Sequence, residues 1–160
     1  AFTGMSPEEV TGRGTGISDN RLTVKIDAVR QALAINRPDI SDGIDVLAKV
    51  GGFEIGTLAG VVLGAAAHRC PAVIDGLNTT AAALIACAIH PGIGAYLLPS
   101  HLSGEPAHAA ALKWLTLDHC MDLNMRLGEG VGAAVAMNLL TVAVKTVNRM
   151  ATFADAGVSR

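Results

Sequence analysis

Three times in its second half this chain passes from a short apolar run through a polar loop into a segment with helical character. The run at 72–74 is followed by Asp75-Gly76 and a helical segment at 79–89. The run at 95–99 is followed by Ser100-His101 and a helix at 106–116. The run at 120–125 leads through Arg126-Leu127-Gly128-Glu129-Gly130 into a long helix at 133–150. Strands separated by helices cannot close as hairpins; they need crossover connections, which set them side by side in a parallel sheet. The expected fold is therefore α/β: a Rossmann-like, three-layer arrangement of a parallel sheet and crossover helices. The three units are not repeats of one another in sequence. A chain of 160 residues suits one domain spanning 1–160.

The first seventy residues read as helices and loops. Ser6-Pro7-Glu8-Glu9 combines an N-cap, a proline in the first turn and early carboxylates, so a short helix is expected at Pro7–Val10. The glycine-rich loop Gly12-Arg13-Gly14-Thr15-Gly16 precedes an amphipathic helix at about 19–35, with Leu22, Ile26, Val29 and Leu33 on one side. Beyond Pro38, further helices are expected at 43–50 and 53–69.

Several function classes are disfavoured by composition. The uncharged stretch 76–100 is interrupted by Asn78, His90, Pro91, Gly92, Gly94 and Pro99, too often for a spanning helix. It reads as a buried helix, a turn and a buried strand, and no membrane partner is expected. A net charge of −2 and no basic stripe with interleaved aromatics argue against nucleic acid. Cys70, Cys87 and Cys120 match neither a zinc spacing nor a disulfide framework, and are expected to be small buried thiols in a reducing compartment, the cytoplasm. Hydrophobic residues make up 51% but aromatics only 3%, so small side chains should let the layers pack closely. The apolar surplus is expected to be shared with a partner subunit or a further segment. The start on Ala1-Phe2-Thr3 reads as that of a fragment or processed piece.

In open parallel sheets ligands sit beyond the carboxyl ends of the strands. The polar residues cluster in those loops. Glu129 lies between Gly128 and Gly130 near a helix N-terminus, either as a general base or as a carboxylate complementing the helix dipole. Gly128, Gly130 and Ala133 fit a relaxed dinucleotide fingerprint, but no strand follows the helix and Glu129 would repel a pyrophosphate, so that reading is rejected. The 12–16 loop, with Arg13 and Lys25, reads as a phosphate-binding turn or as a flexible turn with a solvated arginine; it lacks P-loop spacing. His101 and His108 have no further ligands fixed around them for a metal, and no nucleophile elbow surrounds Ser103. Capping of the next helix by Ser103 and Glu105 is the favoured reading there. Asp75 either binds a hydroxyl or caps a helix.

Six segments together resemble one family. They are Gly12-Arg13-Gly14-Thr15-Gly16, Gly51-Gly52-Phe53-Glu54-Ile55, Asp75-Gly76, Ser100-His101-Leu102-Ser103-Gly104-Glu105, Arg126-Leu127-Gly128-Glu129-Gly130-Val131-Gly132-Ala133 and Met150-Ala151-Thr152-Phe153. In this order they resemble the nicotinate-nucleotide:dimethylbenzimidazole phosphoribosyltransferases. The resemblance implies transfer of the phosphoribosyl group of nicotinate mononucleotide to dimethylbenzimidazole, giving alpha-ribazole phosphate and nicotinate, in cobalamin nucleotide-loop assembly. It implies Glu129 as the catalytic base. It places Gly14 and Lys25 at the nucleotide, near its phosphate, with Arg13 and Thr15 beside them. It puts Ser103 near the substrate and Leu127 at the benzimidazole pocket, counts His101 and Gly128 among the substrate-binding residues, and sets Asp75-Gly76 in the surrounding polar network. No metal or cofactor is implied, and a homodimer is. Leu77 stands where an aromatic is common in the family, and Ala107 where a glycine is usual. Members also carry an upstream region with a Glu-Met-Gly-Ile-Gly-Asn segment, so this chain is expected to be the C-terminal catalytic half. The alternative is a non-catalytic nucleotide-binding or interaction module with the same fold.

Overall fold

The first half of the longest uncharged stretch of the sequence becomes the central helix of the fold. In the computed structural model, which describes residues 1–14 and 16–158, this helix is α5, Leu77–Ile89. Thr80 and the run from Ala82 to Cys87 are buried in succession, so every face of α5 is covered. Its cover comes from α3 (Gly43–Val50), α4 (Phe53–Ala67) and α6 (Pro106–Trp114). Small side chains make this density attainable. Ala82, Ala83 and Ala86 have no exposed surface, and a Cβ on Gly43 would come within 2.7 Å of the Ile85 carbonyl oxygen. One core cluster joins Val62, Ile74, Ala83, Leu97 and Leu112; a second joins Val46, Ala59, Ala82 and Ile85.

The sheet is short and parallel. β1 (Ala72–Ile74) pairs with β2 (Leu97–Pro99), Val73 opposite Leu98, and β3 (His101–Ser103) pairs with β4 (Met121–Met125). Ser100 alone separates β2 from β3. Its N–H donates to the Ile74 carbonyl at 3.0 Å, and its carbonyl accepts from the Cys120 N–H at 3.1 Å. The segment 97–103 therefore runs as a central ribbon between β1 and β4. Mixed α/β architecture with parallel strands agrees with the expectation. β3, read from the sequence as loop, differs: His101 and Ser103 carry no strand propensity, and tertiary packing buries His101 all the same. The β3–β4 ladder is irregular, with two steps on β3 spanning four on β4, where Asn124 adopts φ 51°. A 3₁₀ segment, Pro91–Tyr96, leads into β2.

The remaining elements are α1 (Pro7–Val10), α2 (Asp19–Asn36) and α7 (Val131–Arg149). α1 starts at the expected N-cap, Ser6, which forms a reciprocal capping box with Glu9. On α2, Leu22, Ile26, Val29 and Leu33 form a half-buried stripe. α7 docks by its first turns only, burying Gly132 and Ala136, while Met137, Leu139, Val142, Val144 and Val147 remain exposed. It is the one helix among the described residues long and apolar enough to cross a membrane by length and composition. Of the three cysteines expected to be buried, only Cys87 is; Cys70 lies just past the end of α4 and Cys120 just before β4, and both are exposed.

Two glycines should respond oppositely to alanine. A Cβ on Gly132 would lie 1.9 Å from Nδ1 of the buried His101, so Gly132→Ala should lower stability by about 1–3 kcal/mol. Gly60 is exposed inside α4 with nothing within 4 Å of such a Cβ, so Gly60→Ala should raise it by about 0.5–1 kcal/mol. Urea unfolding of both variants checks the signs.

Candidate active site

At the carboxyl ends of the strands lies an open cavity of about 280 Å³. Four stretches distant in sequence line it: Gly14 and Lys25; Asp75 to Asn78; His101, Ser103 and Glu105; and Arg126 to Gly128. The last three lie at the carboxyl ends of β1, the 97–103 ribbon and β4. The parallel arrangement is what brings them to one edge.

Asp75 organises the cavity floor. It ends β1 and is buried, and its Oδ1 accepts the Ala133 backbone N–H at 2.9 Å. Ala133 is in the first turn of α7, whose N-cap, Gly130, has no side chain to offer. The aspartate thus caps a helix 58 residues downstream. His101 Nδ1 lies 3.9 Å from the same carboxylate oxygen and 3.0 Å from Ser100 Oγ, which also donates to the Asp75 carbonyl at 3.3 Å. Contact with His101 leaves no room for a Cβ at position 132, so α7 must begin beside a glycine.

A second network lies behind Ser103. The Ser103 N–H donates to His108 Nδ1 at 2.8 Å, and His108 Nε2 is 2.9 Å from Thr80 Oγ1, whose hydroxyl donates to the Gly76 carbonyl at 2.9 Å. His108 is completely buried. Burial, and to a lesser extent His101, lower its pKa to about 4, so the ring is neutral at pH 7. Ser103 and Glu105 do not cap α6 through their side chains: Glu105 is the N-cap residue without a cap bond, and Ser103 Oγ accepts the Glu105 N–H at 3.4 Å.

The glycine-rich loop is anchored on this framework. Gly12 is buried, and a Cβ there would meet Glu105 Oε2 at 2.2 Å. Lys25 Nζ donates to the Gly12 carbonyl at 3.0 Å. Arg13 is turned away from the cavity: it donates to the Ile17 carbonyl at 3.0 Å and pairs with Asp19. Thr15 lies outside the described residues. Gly14, Lys25, Asp75, Gly76, His101, Ser103, Leu127 and Gly128, all foreseen from the sequence, line the cavity together.

Glu129 stands one residue beyond the lining. Gly128, Glu129 and Gly130 are all left-handed, with φ of 81°, 58° and 77°, the bend foreseen from the two glycines. The Glu129 side chain is exposed and makes no hydrogen bond among the described residues. Glu105 and Arg126, two of the polar residues that the sequence gathers in the strand-end loops, also line the cavity, as do Leu77 and Asn78, which are not singled out for it. Each lies within two residues of one that is, so taking whole strand-end loops would find them.

In this parallel α/β fold the cavity offers a lysine and a helix N-terminus at the strand ends, groups that suit an anion. The chain belongs to the phosphoribosyltransferase family DBI_PRT, whose model matches residues 1–158. It is 57% identical over 99% of its length to the nicotinate-nucleotide–dimethylbenzimidazole phosphoribosyltransferase of Desulforudis audaxviator, covering 45% of that protein. With the enzyme of the same name from Desulforamulus reducens it shares 52% identity, covering all of this chain and 46% of the relative. The crystal structure of CobT from Thermus thermophilus superposes with a TM-score of 0.91 at 43% identity, over 99% of this chain and 47% of that one. The chain therefore spans about half the length of the curated relatives it matches.

The neutral His108 makes stability depend on acid. Unfolding returns its pKa from about 4 to the ordinary value of 6.5, so below pH 6.5 the unfolded chain binds a proton that the folded one does not. The stability cost should grow as pH falls from 6.5 to 4, reaching roughly 3 kcal/mol. Urea unfolding at about pH 7 and about pH 4.5 should show a larger loss in the unmodified protein than in His108→Gln; equal losses would contradict the assignment.

Proposed function

We propose that this chain is the C-terminal catalytic half of an enzyme that moves the phosphoribosyl group of nicotinate mononucleotide to dimethylbenzimidazole. The products are alpha-ribazole phosphate and nicotinate. The observation that carries this reading is the convergence on one cavity of Gly14, Lys25, Asp75, Gly76, His101, Ser103, Leu127 and Gly128 from four distant stretches. The names of the relatives support the same pair of substrates.

The donor's phosphate suits Lys25, Gly14 and the first turn of α5, where Gly76 and Leu77 line the cavity and the helix dipole favours an anion. Thr15 is assigned to the same end of the nucleotide, and Ser103 and His101 to its ribose side. Leu127 and Gly128 are assigned to the acceptor base. One ring nitrogen of the base forms a bond to the anomeric carbon while the bond to the pyridinium nitrogen breaks, and nicotinate leaves with the electron pair. Positive charge on the base makes its other ring N–H acidic. Glu129, at the left-handed bend beside Gly128, takes that proton. Its exposure supports a base that meets the acceptor at the cavity mouth, where the remaining length of the polypeptide completes the pocket.

The finer arrangement proposed is one α/β domain over 1–160 with a Rossmann-like, three-layer order, supported by the parallel 97–103 ribbon with helices on its connections. A homodimer working in the cytoplasm is proposed with it. The exposed apolar side chains of α7 support a surface covered by protein rather than by water or lipid, since Asn138, Lys145 and Arg149 break up its apolar surface.

In the full-length enzyme, Glu129→Ala should lower kcat by roughly 10²–10⁴-fold, with binding of nicotinate mononucleotide retained. Product formation followed by chromatography and binding by calorimetry check this. Unchanged turnover would remove Glu129 from the reaction; absence of alpha-ribazole phosphate with the unmodified enzyme would favour a non-catalytic nucleotide-binding module.

A further inference from the structure

Behind the cavity wall, one buried side chain joins two of the loops that line it. Both ring nitrogens of His108 are engaged. Because Nδ1 accepts the Ser103 N–H, the proton of the neutral ring resides on Nε2 and is donated to Thr80 Oγ1. The Thr80 hydroxyl then has its own proton to give, and gives it to the Gly76 carbonyl. A path of single polarity thus runs from the Ser103 amide through imidazole and hydroxyl to Gly76. Its two ends meet again at the cavity surface, where a Cβ on Gly76 would lie 3.8 Å from Ser103 Oγ.

We propose that His108 is a positioning residue for the donor nucleotide: through this path it holds the Ser103 hydroxyl and the Gly76-headed first turn of α5 at a fixed separation. The inference rests on the phosphoribosyl-transfer reading above. Any buried imidazole needs partners for its nitrogens; what marks His108 is that its two partners tie together two of the stretches that line the cavity. Valine has nearly the shape of threonine and would fill position 80 without a hydroxyl. Here the hydroxyl is the joint between α6 and α5, and removing it leaves the His108 Nε2–H buried without an acceptor while packing volume is kept. The neighbouring titratable groups facing the ring are His101, Asp75 and His119.

The test uses the full-length enzyme with Thr80→Val and Thr80→Ser, measuring the Kd for nicotinate mononucleotide and the KM of each substrate. Thr80→Val should weaken nucleotide binding and raise its KM about five- to tenfold, leave the KM for dimethylbenzimidazole unchanged, and be rescued by Thr80→Ser. A fall in thermal midpoint with nucleotide affinity intact, or an equal rise in both KM values, would overturn the role. Nitrogen-15 NMR of the His108 ring tests the path without any substrate. A proton on Nε2 alone at neutral pH is expected, and a proton on Nδ1 would overturn it. If the unmodified enzyme neither binds the nucleotide nor forms product while the ring shows the expected tautomer, the phosphoribosyl reading fails, and the donor-positioning role with it.

Discussion

The bond between the Asp75 carboxylate and the Ala133 amide is the joint on which the cavity depends. α7 starts on a left-handed glycine that offers no side chain, so its first-turn amides find no side-chain acceptor at the N-cap. Asp75, at the far end of β1, supplies a charged acceptor to one of them. The exchange is mutual. A buried carboxylate needs a donor, and the positive end of a helix dipole is a favourable place to find one. Because α7 is held there, the bend at 128–130 is held beside Ser103 at the end of β3 and Lys25 on α2. His101 packs so tightly on Gly132 that the start of the helix cannot shift toward it.

The site consequently has a rigid side and an open side. The rigid side consists of β1, the 97–103 ribbon and α5, tied by two polar networks in which no buried side-chain polar atom among the described residues lacks a partner. The open side is the 126–130 turn and the C-terminal part of α7, both exposed. That division suits a reaction in which a charged nucleotide is gripped by fixed groups and a flat apolar base arrives from outside. It also matches a chain that spans about half the length of its relatives.

Much of this is legible in the residues. The crossover pattern indicates parallel strands, and loops at the strand ends indicate where polar side chains gather. The N-cap at Ser6 and the left-handed bend at Glu129 follow from local chemistry alone. What is not legible depends on contacts between distant segments. β3 has no strand-forming residues at His101 and Ser103 and exists because its neighbours pair with it. The helix that Asp75 caps lies 58 residues away, and no spacing rule links a β1 aspartate to α7. The glycine-rich loop suggests the cavity as the place for Arg13, but Asp19 and the Ile17 carbonyl lie nearer and take its guanidinium. His108 reads as a spare histidine because its partners, Thr80 and Ser103, belong to two other elements.

Amide hydrogen exchange at Ala133, in the protein and in Asp75→Ala, tests the central joint most directly. If the carboxylate holds the start of α7, the Ala133 amide should exchange about five- to tenfold faster in the variant, with α5 amides unchanged. Equal exchange at Ala133 in the two proteins would mean that the helix is held in place without Asp75.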